Sequence, residues 1–191
     1  MKKLKTILFL GIGIAVVSFL SGCAATAVKS DAISISAPAL IKGELRSINI
    51  NSEDAHTIKP SSALCGAWSY AIDTSSVGES VRASIDSSFD NTGSVPEFDI
   101  DVDIEQELEI SFTAGWWSST AEGEAELDAR VTVRKNGEHL FKKTYNVSSD
   151  EAKTSGCPQA NKLLVASVEA STKKLVNQIV EDLELEIARR N

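Results

Sequence analysis

The sequence predicts an α+β fold: an antiparallel sheet, a meander at its middle, with two helices packed on one face. Three observations carry that expectation. Residues 98 to 112, FDIDVDIEQELEISF, set an apolar side chain at almost every second position and an acid at nearly every position between, which is the two-residue period of a half-buried strand. Asn136-Gly137 separates two further alternating runs and offers the positive backbone angles of a type I′ hairpin turn. Leu164, Val168, Leu175, Ile179, Leu183 and Ile187 recur at helical intervals, as the buried stripe of an amphipathic helix does. With a shorter helix upstream, two helices cover one sheet face and leave the other wet or covered by a partner.

In chain order, residues 1 to 22 come first. Lys2, Lys3 and Lys5 lead into an apolar stretch from Ile7 to Leu20, which closes on Leu20-Ser21-Gly22-Cys23. A basic start followed by a short apolar run is an export signal. The run is shorter than the roughly 20 residues that a membrane span needs. Leu20 to Cys23 resemble a bacterial lipobox. That resemblance implies cleavage after Gly22, a diacylglycerol thioether on Cys23 and acylation of its new amine. An ordinary anchor helix with an incidental cysteine is the competing reading. Each buried methylene contributes about 0.8 kcal/mol, so two or three long acyl chains hold a protein on a bilayer without a transmembrane helix. In proteobacterial lipoproteins an Asp after the lipidated cysteine favours the inner membrane. Ala24 stands there, so the resemblance implies the periplasmic leaflet of the outer membrane.

Residues 23 to 32, small and polar after Cys23, read as a lipidated tether, and 33 to 191 as one periplasmic α+β domain. Ile33 to Ile35 and Leu45 to Ile50 alternate as short strands, and Asn51 to Ser62 is polar and reads as a loop. Trp68, Tyr70 and Ile72 alternate as a strand beside Cys65. Ser76 and Glu79 have the spacing of a capping box, and Val77, Val81, Ile85 and Phe89 follow as one buried stripe, ending near Asn91 to Gly93. Strands over 97 to 114 and 121 to 134 are joined by the loop Gly115 to Thr120, and the chain returns through Leu140 to Val147. The last helix starts near Pro158 and ends at Arg189 and Arg190, whose charges suit a helix C-terminus.

The formal charge of the whole chain is −8, and without the signal it falls to about −11. Such a chain repels nucleic acid and presents no basic patch to anionic lipid. Cys65 and Cys157 remain after Cys23. Export places them in an oxidising compartment, where they can pair in only one way. A reactive thiol or a metal pair is the rival reading, but neither cysteine has a CxxC partner or a nearby histidine.

Asp99, Asp101, Asp103, Glu105, Glu107 and Glu109 share one side of their strand. Acids about 6.6 to 7 Å apart in a straight row cannot gather six to eight oxygens around one calcium ion. No metal site is expected. Glycoside cleavage needs two carboxylates of different environment facing across a cleft, and nothing marks one acid as desolvated. The row reads as a solvated face, partly neutralised by Arg130, Arg134, Lys142 or Lys143, with Asp99, Asp101 and Asp103 as candidate contacts to a basic partner. Gln106 interrupts the apolar side, so a bend or bulge is expected near Glu105 to Glu107.

His56 and His139 lie outside any nucleophile motif, and no GxSxG, SxxK, phosphate loop or zinc spacing occurs. Neither enzyme chemistry nor a cofactor is expected. Trp116 and Trp117, beside Gly115, fall at a loop between strands. One ring continues the inward alternation and packs in the core; the other is a candidate contact with a partner, a glycan or the lipid surface.

The lipobox, tether, charged meander and long last helix together resemble small bacterial envelope lipoproteins. The YajG-like family is nearest in length and order, and assembly lipoproteins of the curli-pore and Pel-polysaccharide type are more remotely similar. The chain lacks a clear amphipathic transmembrane hairpin of the pore-forming kind. The resemblance implies a membrane-anchored, non-enzymatic accessory or assembly subunit that binds an envelope protein or a second copy of itself. A binding module for a small apolar or glycan ligand, held between sheet and helices, is the alternative.

Overall fold

The computed structural model describes residues 28–29, 31, 41–59, 65, 68–91, 96–114, 119–149 and 152–190. Cys23, the strand expected at Ile33 to Ile35, and Trp116 and Trp117 lie outside these residues. The order is β1 (Val28–Lys29), β2 (Glu44–Ser52), β3 (Ala55–Ile58), β4 (Tyr70–Asp73), α1 (Ser75–Ser88), β5 (Glu97–Ala114), β6 (Ser119–Lys135), β7 (Glu138–Ser148), β8 (Ala152–Ser155) and α2 (Ala160–Arg190). This is the α+β class expected, with both helices on one face of the main sheet.

That sheet runs β2-β5-β6-β7, with β8 pairing β6 beyond the end of β7. From β5 to β7 it is the antiparallel meander, and Asn136 and Gly137 turn its last hairpin at φ 52° and 82°. The sheet is not wholly antiparallel, because β2 pairs with β5 in parallel. Between them the chain makes the crossover that parallel pairing requires, through β3, β4 and α1. β3 itself occupies the stretch expected as a loop. It forms a second, smaller sheet in the order β1-β4-β3. Val28 and Lys29, inside the stretch expected as a tether, are its first strand, and Asp31 N–H donates to Glu169 Oε1 of α2 at 3.1 Å.

Two cores result. The larger packs Val102, Leu127 and Val131 of the sheet against Val81 and Ile85 of α1 and Val168, Leu175 and Ile179 of α2. The smaller joins Tyr70 and Ile72 of the small sheet to Ile110, Ala121 and Leu164. β5 and β6 are long enough to serve both. Their pairing holds one register from Phe98↔Lys135 to Ala114↔Ser119, so the bulge expected near Gln106 is absent. Gln106 leaves the apolar row for another reason: its Nε2 donates to Ser52 Oγ at 2.8 Å and Glu53 O at 2.7 Å, closing the end of β2.

α1 begins one residue before Ser76, and Ser76 is buried inside it while Glu79 is exposed. The capping box therefore does not form. Asp73 Oδ1 accepts the Ser75 N–H at 3.0 Å, and that bond is the main cause holding the Asp73 carboxyl below its ordinary pKa. The stripe Val77, Val81, Ile85 and Phe89 is buried as expected. α2 buries all six apolar residues expected of it, and it lies very close to β6. A Cβ on Gly123 would stand 3.1 Å from Leu163 Cβ and 3.3 Å from backbone atoms of Leu163 and Leu164. Ser167 and Ser171 fix this approach by donating to Gly123 O and Ala125 O at 2.8 and 2.7 Å. They meet β6 where β7 gives way to β8, a gap that Ser149 also closes through its Oγ to Ala125 N–H at 3.0 Å.

Candidate functional site

The inner face of the main sheet carries the helices, so its chemistry lies on the outer face. Along β5 the residues from Phe98 to Ile104 alternate, with Phe98, Ile100, Val102 and Ile104 buried toward the helices. Asp99, Asp101 and Asp103 point the other way, as the strand period requires. The neighbouring β2 answers them. Pairing jumps from Leu45↔Phe98 to Ser47↔Asp99, leaving Arg46 as the extra residue of a bulge. A bulge turns two consecutive side chains to one face. Arg46 Nε donates to Asp99 Oδ1 at 2.9 Å, its Nη2 pairs with Asp99 Oδ2, and Ser47 Oγ donates to Asp99 Oδ1 at 2.6 Å. Two residues on, Asn49 Nδ2 donates to Asp101 Oδ1 at 2.9 Å, and Arg134 Nη1 of β6 reaches Asp101 Oδ2 at 2.5 Å. Asn51 Nδ2 lies 3.5 Å from Asp103 Oδ1, a marginal contact. Arg130 faces Asp103 across the strands.

Asp99 and Asp101 are thus committed to the fold. Hydrogen bonds from Arg46 and Ser47 hold the Asp99 carboxyl below its ordinary pKa, and those from Asn49 and Arg134 do the same for Asp101. A carboxyl with a depressed folded-state pKa adds stability that is present above its unfolded value, near 3.9, and is lost as pH falls through the folded one. Asp99→Asn should therefore flatten the acid limb of the stability profile below about pH 4. Urea midpoints at pH 7 should drop in the variant, and the two proteins should converge toward pH 2. Parallel curves over that range would rule out the Arg46–Asp99 pair as the source.

Beyond Ile104 the donors from β2 stop, because β2 ends at Ser52. Glu105 then faces Asp128, Glu107 faces Glu126 and Glu109 faces Glu124. Like charges directly opposite on a sheet are destabilising. Asn146 Nδ2 donates to Glu126 and Asp128 at 2.5 and 2.9 Å, and Lys153 Nζ meets Glu122 at 2.7 Å. Among the described residues Glu105, Glu107, Glu109 and Glu124 receive no such bond. Of the aspartates singled out from sequence, Asp99 and Asp101 are engaged within the sheet, while Asp103 has only its marginal contact and joins these glutamates as an acid without a close donor. One signal could have found them: Glu122, Glu124, Glu126 and Asp128 alternate on β6 just as the acids do on β5. Of the cations expected on this face, Arg134 is bound there, whereas Lys143 turns to the helix side and pairs with Asp182 of α2 at 2.5 Å.

Helix side chains reach single carbonyls on both outer strands. Arg82 Nη1 of α1 donates to Ile48 O of β2 at 2.9 Å, and Lys174 Nζ and Arg190 Nη1 of α2 donate to Ser148 O and Leu140 O of β7 at 3.0 and 2.5 Å. Capped carbonyls make poor templates for a further strand. Among the described residues no group of three or more His, Cys, Asp or Glu side chains is placed to hold a metal, and no helix is long and apolar enough to cross a membrane.

Cys65 and Cys157 form a disulfide with Cα atoms 5.8 Å apart, joining the approach to β4 to the turn before α2. Of the expected Trp68–Tyr70–Ile72 alternation, Tyr70 and Ile72 are buried, but Trp68 lies ahead of the strand and is 47% exposed.

No family model matches the chain, and no curated protein matches it. Among solved structures it is similar to a Xanthomonas campestris protein of the DUF330 family, at 13% identity and a TM-score of 0.49, over 86% of this chain and 98% of that one. It is also similar to a minor lipoprotein from Acinetobacter baumannii, at 8% identity and a TM-score of 0.38, over 72% of this chain and 94% of that one.

Proposed function

We propose that this chain is an envelope lipoprotein, held by acyl chains on Cys23 in the periplasmic leaflet of the outer membrane. Its domain acts as a non-enzymatic assembly or accessory subunit. It docks an envelope protein of basic surface on the outer sheet face, between Glu105 and Glu109 of β5 and Glu124 and Asp128 of β6. The observation that carries this reading is the set of facing acid pairs, Glu105–Asp128, Glu107–Glu126 and Glu109–Glu124. They lie on the sheet face that the helices leave open. Facing carboxylates cost the free domain a few tenths to 1 kcal/mol per pair. A cationic partner turns that repulsion into attraction, which raises the rate and selectivity of encounter. The carriage reading finds less support, because among the described residues the facing sides of the sheet and the helices pack against each other as core.

The test is co-purification from crosslinked membranes with Glu105, Glu107, Glu109 and Glu124 all changed to Gln. The expected result is a loss of partner of about tenfold or more, with folded stability unchanged or raised. Undiminished recovery of the same partner would remove the docking face from consideration. The anchor is tested separately: Cys23→Ala should abolish acyl labelling, and continued labelling would refute the assignment.

A further inference from the structure

The chain between Cys23 and the fold is short. β1 starts at Val28, and the five peptide steps from Cys23 to Val28 reach at most about 18 Å. The β5–β6 ribbon, with its 18-residue β5, is about 60 Å long. A tether less than a third of that length fixes which end of the domain stays beside its attachment.

The topology identifies that end. β1 runs parallel to β4, with Val28 beside Ile72 and Lys29 beside Asp73, so the chain enters β1 from the side on which Tyr70 stands. Tyr70 stacks on Phe112 near the close of β5, with ring centroids 6.3 Å apart, and its hydroxyl donates to Cys157 O at 2.9 Å. The same end therefore gathers the close of β5, the disulfide and the start of α2. Trp68 precedes Tyr70 by two residues and exposes nearly half its surface, and Lys59, next to the β3 residue paired with Tyr70, is exposed as well.

We propose that this β1–β4 end, with Trp68 at its surface, is a membrane-contact site resting on the lipid head groups. The proposal depends on the reading of Cys23 as the acylated residue. An amphipathic indole is the side chain that settles best at a membrane–water interface, and a lysine beside it favours phosphate. The acidic outer face is repelled by anionic head groups, so the domain stands on its end rather than lying on that face. The Asn136–Gly137 hairpin then points away from the bilayer, and the facing glutamates stay open to a partner.

The experiment uses acylated protein purified from its host membranes and reconstituted in phosphatidylethanolamine–phosphatidylglycerol vesicles. Trp116→Phe and Trp117→Phe leave Trp68 as the one indole. Lipids brominated near the head group should quench its emission about twofold, and bromines deep in the chains should quench it less. In the unsubstituted protein, acylation of Lys59 by an amine reagent should slow on vesicles relative to detergent, while that of Lys142 on the outer face stays constant. Mass spectrometry of the Cys23 peptide separates the two readings. Acyl mass present with no quenching and no Lys59 protection overturns the membrane contact alone, as does protection that appears only when a partner protein is added. Absence of the acyl mass overturns the anchor, and the contact with it.

Discussion

Replacing Cys157 by alanine is expected to lower the free energy of unfolding by about 4 to 5 kcal/mol, the largest single effect foreseen for this domain. The bond joins residues separated by 92 positions. In the chain-entropy account a loop of that length removes more freedom from the unfolded chain than a short one. The site adds a local reason. Cys157 lies in the turn that starts α2, and its carbonyl accepts the Tyr70 hydroxyl, so the bridge holds the small sheet, the smaller core and the long helix together. Cys65→Ala should match Cys157→Ala within error, because each removes the same link, and the reduced wild type should fall close to both. Urea unfolding followed by circular dichroism, with and without reductant, checks this. Equal stability of oxidised and reduced protein would show that the bridge contributes nothing.

Gly123→Val is expected to cost about 3 kcal/mol, at the upper end of what overpacking costs. The branched side chain would meet Leu163 Cβ and the backbone of Leu163 and Leu164, and backbone cannot rotate aside as a side-chain end can. Pushing α2 outward would also stretch the bonds from Ser167 and Ser171 to β6. Gly123→Ala, with one methyl, should cost about 1 kcal/mol. Val at Gly137 serves as a different control. Nothing lies within 4 Å of a Cβ there, so its cost comes from the positive φ of 82° alone. A wild-type urea midpoint for Gly123→Val would mean that helix and strand do not pack as closely as described.

Periodicity made much of this fold legible. The apolar rows of β5 and β6, the stripe of α1 and the stripe of α2 are local patterns, and each element turns the residues its period singles out to the core side, with only Leu108 and Phe112 of β5 left half-buried. Asn136-Gly137 is legible for the same reason, since its backbone angles are set by two adjacent residues. Features that depend on distant chain have no such local pattern. Ser76 and Glu79 have the spacing of a cap, yet Asp73 caps α1, because the small sheet delivers that carboxylate to the helix start. The polar stretch after Asn51 hides β3, whose four residues are too few to show a period.

The candidate site divides along the same line. That the acids of β5 share one face follows from the two-residue period. Which of them are neutralised depends on β2, a parallel strand brought back by a crossover and bulged at Arg46 so that Arg46 and Ser47 both reach Asp99. Nothing near Asp99 in the chain announces a guanidinium 53 residues away. Lys143 was expected on the outer face, but it stands on the helix side of the edge strand, where Asp182 of α2 takes its charge.

By itself, then, the sequence determined the element types, the sidedness of each strand and helix, the turn at Asn136-Gly137 and the excess of negative charge, all of which depend on neighbours within a few residues. Only the tertiary structure decided the parallel β2, the close approach of α2 at Gly123, the carboxylates left without donors and the side from which the chain enters β1. Each of these depends on which distant segments share an edge or a face. That choice is made by burial of the whole chain at once, because a strand's hydrogen bonds and a core's contacts are satisfied by whatever segment the packing brings beside them.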